Sequence, residues 1–182
     1  RSTDSYVTPI ATVTAPTVSY SNTGLTTATA YSYKVAACDA ANNCSAQSAV
    51  ASATTLDNVA PSVPTGLSAT AFSSSQINLS WTASTDNVAV TQYKVYRSTD
   101  SYVTPIATVT APTVTYSNIG LTAATAYSYK VTACDAANNC SAQSAIASAT
   151  TLDNVAPSVP TGLTATAFSA SQINLSWTAA TD

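Results

Sequence analysis

Gln76-Ile77-Asn78-Leu79-Ser80-Trp81 alternates an amide or hydroxyl with a large apolar side chain, residue by residue. A period of two puts Ile77, Leu79 and Trp81 on one face of an extended strand and the polar residues on the other, so the stretch predicts a half-buried β-strand. Tyr93-Lys94-Val95-Tyr96-Arg97 alternates in the same way, and so do residues 126–133, which send Tyr127, Tyr129 and Val131 inward. Shorter strands are expected near residues 67–71, 105–109, 114–116 and 145–150, giving seven strands with turn residues between them and no helical periodicity. A strand with one apolar face must bury it against another layer, so the expected fold class is all-β, an antiparallel two-sheet sandwich.

These strands recur. Residues 1–10 return unchanged at 97–106, a period of 96 residues, and 1–86 match 97–182 with eight differences, among them Ser19 against Thr115 and Val50 against Ile146. That period is too long for a solenoid unit and suits one sandwich domain. The segment Leu56-Asp-Asn-Val-Ala-Pro-Ser-Val-Pro-Thr-Gly66, repeated at 152–162, carries two prolines and a glycine that stop any strand, so it marks a boundary. The expected division is therefore 1–57 as the back part of one domain, 58–154 as a complete domain, and 155–182 as the front part of a third. The ten residues 87–96, which contain a strand the sandwich needs, have no counterpart in the flanking copies. The expectation from this gap is a piece of a longer array, or an array in which another chain supplies the strand.

The residues closely resemble bacterial-type, extracellular fibronectin type III domains. The resemblance rests on Pro61-Ser-Val-Pro-Thr-Gly-Leu67, on Ile77-Asn-Leu-Ser-Trp81, on Tyr93-Lys-Val-Tyr-Arg97, on Leu121-Thr-Ala-Ala-Thr-Ala-Tyr127 and on Ala133-Cys-Asp-Ala-Ala-Asn-Asn-Cys-Ser141. It implies a seven-stranded antiparallel immunoglobulin-like β-sandwich. It also implies that Tyr127 and its equivalent Tyr31 are corner tyrosines whose hydroxyls bond back to the chain. Ala123 stands where the family often has proline. Trp81, Trp177, Leu121 and Leu25 are expected as core anchors together with the corner tyrosines.

Each repeat holds two cysteines six positions apart, Cys38 with Cys44 and Cys134 with Cys140. A zinc site wants four Cys or His ligands, and the chain has no histidine. The spacing is not Cys-x-x-Cys, and no thiolate-stabilising base lies nearby in sequence, so a structural disulfide is expected rather than a redox site. Such pairs imply an oxidising, extracellular compartment, secreted or cell-surface.

Composition removes several function classes. Charged residues are 7% of the chain, the formal net charge is −3, and five scattered cations form no basic stripe, which argues against a nucleic-acid partner. Polar residues interrupt every apolar run well before the ~20 residues needed to cross a bilayer, so no membrane-spanning helix is expected. No catalytic residue is assigned: serines and threonines abound without a base to activate them, and the eight acids, all aspartates, read as turn formers. No cofactor or metal is expected. Oxygen ligands at Asp57-Asn58 and Asp153-Asn154 would suit calcium, but too few carboxylates converge in sequence there, and turn formation is the expected role.

Tyr6, Tyr96 and Tyr102 are the aromatic residues that could face a polysaccharide. The leading functional expectation is a structural array forming a surface fibre, filament or stalk, with self-association between repeats or neighbouring chains. The alternative is a spacer or accessory module of a secreted glycan-degrading enzyme, or an adhesin.

Overall fold

The computed structural model describes residues 5–182, so the opening residues 1–4 of the first repeat lie outside the described residues. Eleven strands follow one another: β1 (Ala30–Tyr33), β2 (Ala51–Thr54), β3 (Thr65–Ser73), β4 (Gln76–Thr82), β5 (Val90–Arg97), β6 (Pro105–Thr110), β7 (Thr115–Ile119), β8 (Ala126–Asp135), β9 (Ala147–Thr150), β10 (Thr161–Ser169) and β11 (Gln172–Thr178). All seven strands expected between residues 65 and 150 are present as β3 to β9.

β3, β4 and β7 form one antiparallel sheet in the order β3-β4-β7, and the other four form a second in the order β6-β5-β8-β9. The period-two pattern explains the packing between them. β4 turns Ile77, Leu79 and Trp81 toward Tyr93 and Val95 of β5 and Tyr127, Tyr129, Val131 and Ala133 of β8, with Leu121 closing the end. The Trp81 and Tyr93 rings meet edge to face, 5.4 Å between centroids.

Local devices pin the corners. Tyr127 Oη accepts the N–H of Thr122 at 3.1 Å, and Tyr31 Oη accepts that of Thr26 at 3.0 Å, so both tyrosines bond back to the chain five residues upstream. Gly66 sits at φ +62 where β3 is bulged against β4, and a Cβ there would lie 2.9 Å from Thr82 Oγ1. Only glycine suits both demands.

β1 pairs with β2, and β10 with β11, in the registers that β8–β9 and β3–β4 use one period away. Neither ribbon has a second sheet across it among the described residues. Trp177, expected as a core anchor, has no such layer across it among the described residues. It is 58% exposed, while its equivalent Trp81 is 5% exposed. Leu25 and Tyr31 are likewise only half-buried, whereas Leu121 and Tyr127 lie in the core. The pairing of each ribbon is local, but burial needs the opposing sheet.

Two consequences are measurable. Tyr127→Phe leaves the Thr122 N–H without its acceptor and should lower stability by about 1 kcal/mol in denaturant unfolding. Tyr129 is buried, which raises its hydroxyl above the ordinary 10.0, although Asn118 Nδ2 donates to it at 2.9 Å. The unfolded chain then releases this proton first. Stability contributed by the neutral phenol is complete below pH 10 and should fall as pH rises past that value, which unfolding curves across alkaline pH will record.

Candidate functional site

Two of the aromatic candidates, Tyr96 and Tyr102, lie beside Lys130 of the four-stranded sheet. After β5 a 3-10 turn, Ser98–Asp100, throws Ser101 and Tyr102 into left-handed conformations at φ 60 and 63. The turn is closed by Asp100, whose Oδ2 accepts the Thr104 N–H at 2.8 Å, and this bond holds the carboxyl below the usual carboxylate range. Lys130 Nζ stands 4.8 Å from the Tyr102 ring centroid, and Gln143 Nε2 donates to the Tyr102 carbonyl at 2.8 Å. The preceding copy repeats this, with Lys34 5.0 Å from the Tyr6 ring and Gln47 bonded to the Tyr6 carbonyl. Tyr96 is half-buried and pairs across the sheet with Lys130. The structure thus brings Tyr96 and Tyr102 to a shared lysine. A cation over the ring face leaves less aromatic surface for a sugar.

The outer face of the three-stranded sheet is neutral and polar. Ser68 and Ser80 hydroxyls meet at 2.8 Å, while Asn78 Oδ1 accepts from Gln76 Nε2 and Ser117 Oγ. A shallow depression of about 290 Å³ lies over Ser68, Thr70, Asn78, Ser80, Thr115 and Ser117. It offers hydrogen bonds and no charge.

The two cysteine pairs are disulfides, Cys38–Cys44 and Cys134–Cys140. The latter closes the turn after β8, where Asp135 N donates to the Asn139 carbonyl and Ser141 N to that of Ala133. These staples fit an extracellular protein.

A group that sequence spacing did not reveal lies where the linker enters the sandwich. Asp57, Asp86 and Asp135 each place a carboxylate oxygen within 4.8 Å of the other two. Asn87 Nδ2 donates to Asp57 Oδ1 at 3.1 Å, and Asn139 Nδ2 to the Asp57 carbonyl at 3.3 Å. The sequence marks Asp57 as a linker residue. Its partners carry no such mark, because they stand far away along the chain and each reads alone as a turn former. The only signal was the repeated Asp-Asn pair at 57–58 and 86–87.

Residues 62–150 match the family described as fibronectin type III domain. These residues belong to this family. Exoglucanase B of Cellulomonas fimi is 43% identical over 181 residues, spanning 93% of this chain and 16% of that protein. Chitinase A1 of Niallia circulans is 46% identical over 133 residues, 70% of this chain and 18% of that protein. The chain therefore spans less than a fifth of either relative's length. A crystal structure of chicken CNTN1 FN1-FN3 domains aligns with a TM-score of 0.52 at 22% identity, over 74% of this chain and 46% of that one, which shows the fold alone. Among the described residues no helix is long and apolar enough to cross a membrane.

Within the fibronectin type III domain the Cys134–Cys140 staple closes a short loop, and the loop-entropy relation gives about 2 kcal/mol for it. Replacing both cysteines by serine should lower the unfolding midpoint accordingly while leaving the β-sheet circular dichroism intact.

Proposed function

We propose that this chain is a spacer and accessory segment of a secreted protein that degrades glycans, with the catalytic module elsewhere in that protein. The observation that carries the reading is the comparison with Exoglucanase B: nearly the whole chain matches, yet the match covers 16% of the enzyme. In this reading 58–154 is one complete domain, 1–57 the back of its predecessor and 155–182 the front of its successor. The structure supports a spacing role in two ways. The longest strand, β8, has ten residues, so each domain adds about 33 Å at 3.3 Å per residue. The outer face of the three-stranded sheet carries uncharged hydroxyls and amides, groups of the kind a neutral polysaccharide surface can hydrogen-bond.

A surface fibre built by self-association has the near-identity of adjacent copies behind it. No comparison adds to that, so the spacer is preferred.

The test is deletion of these repeats from the secreted protein that carries them. Turnover of soluble oligosaccharides should be unchanged, while the rate on insoluble polysaccharide should fall several-fold. Equal loss on both substrates, or filaments of the isolated chain in electron micrographs, overturns the reading. Tyr102→Ala should leave any binding to insoluble glycan within twofold of the parent in pull-down assays, since Lys130 already covers that ring.

A further inference from the structure

Three carboxylates from separate parts of the chain converge at the linker: Asp57 just before it, Asp86 from the loop after β4, and Asp135 from the end of β8. The hydrogen bonds they accept come from neutral amides. Val59 N and Asn87 Nδ2 donate to Asp57 Oδ1, Val88 N and Ala89 N to Asp86 Oδ2, and Asn139 N and Nδ2 to the two oxygens of Asp135. None of these donors carries a positive charge.

A second observation is independent of the clustering. Asp86 Oδ1 is closed off from solvent and receives no hydrogen bond. Oδ2 of the same carboxylate is spent on two backbone N–H groups, so Oδ1 is the oxygen left over. Buried carboxylate oxygens without a partner are rare. In the same group Asp135 is 2% exposed, and a cleft of about 240 Å³ is bordered by Asp57, Val88 and Asp135.

We propose that Asp57, Asp86 and Asp135 form a calcium site that clamps the linker onto the domain that follows it. An all-oxygen ligand set suits a hard cation, and flexible carboxylates on three separate segments suit calcium better than magnesium, which demands tight octahedral geometry. The ion supplies the positive charge the cluster lacks and gives Asp86 Oδ1 a partner. The repeat places aspartates again at the positions equivalent to the first two, Asp153 and Asp182.

The test is calorimetric titration of the chelator-treated full chain with calcium chloride, alongside thermal unfolding. Binding at about 0.1–1 mM, the range of extracellular calcium modules, is expected, with weaker magnesium binding and a higher unfolding temperature. Calcium should also slow hydrogen exchange of backbone amides at residues 54–60. Asp86→Asn and Asp57→Asn should each weaken binding at least about tenfold. Asp39→Asn, at the position equivalent to Asp135 but engaged only with its own hairpin, should change nothing. Because Asp57 lies in the linker outside the core, its variant keeps the question open to refutation should Asp86→Asn misfold. Absence of calcium heat and of any unfolding shift up to 10 times the expected range, or undiminished binding in the Asp57 variant, overturns the site.

Discussion

Burial of one face of β4 against the opposite sheet is the interaction on which everything else here depends. Ile77, Leu79 and Trp81 are almost wholly withdrawn from water, and each such side chain contributes about 1.5–3 kcal/mol relative to exposure. The same three residue types recur at Ile173, Leu175 and Trp177, in the same strand with the same neighbours, and there they stand in solvent. The chain thus holds its own control. Identical local sequence forms identical local pairing, and the difference between core and surface comes from what lies across the sheet.

Hydrogen bonds within and near the corner behave differently. Thr29 N bonds to Thr55 Oγ1 and Thr125 N to Thr151 Oγ1, and both corner tyrosines accept their backbone donors, whether or not a core exists behind them. Short-range polar contacts are set by residues close along the chain or across one strand pair. They define shape, while the apolar contacts between sheets supply most of the stability. The eight differences between copies touch both kinds of contact: Thr27 Oγ1 donates to the Leu56 carbonyl, and Ala123 at the equivalent position does not. Ala36 against Thr132 and Ala180 against Ser84 are the costly ones, because the Thr132 and Ser84 hydroxyls are buried without a partner.

Much of this was legible in the sequence because strand alternation, the Pro-Gly boundary and the cysteine spacing are all local patterns. Seven strands and two disulfides followed from them. What was not legible depends on distance in space. The exposure of Trp177 reflects an absent opposing layer, which no reading of 172–178 can contain. Lys130 over Tyr102 arises because a left-handed turn returns the ring to the face of β8. The Asp57, Asp86 and Asp135 group unites a linker, a loop and a strand end, and each aspartate alone has an ordinary explanation.

The side-chain amides of Asn87 and Asn139, both in the domain that follows the linker, hold Asp57 by its carboxylate and its carbonyl. A chain anchored at one end to a solid surface and dragged by flow at the other experiences tension along its backbone. The linker then cannot lengthen until these two bonds shear, and they lie outside the core, so they can break and reform without unfolding either neighbour. The junction at Asp57 would act as a small reversible shock absorber, with slack released before the sandwich that follows it is put at risk.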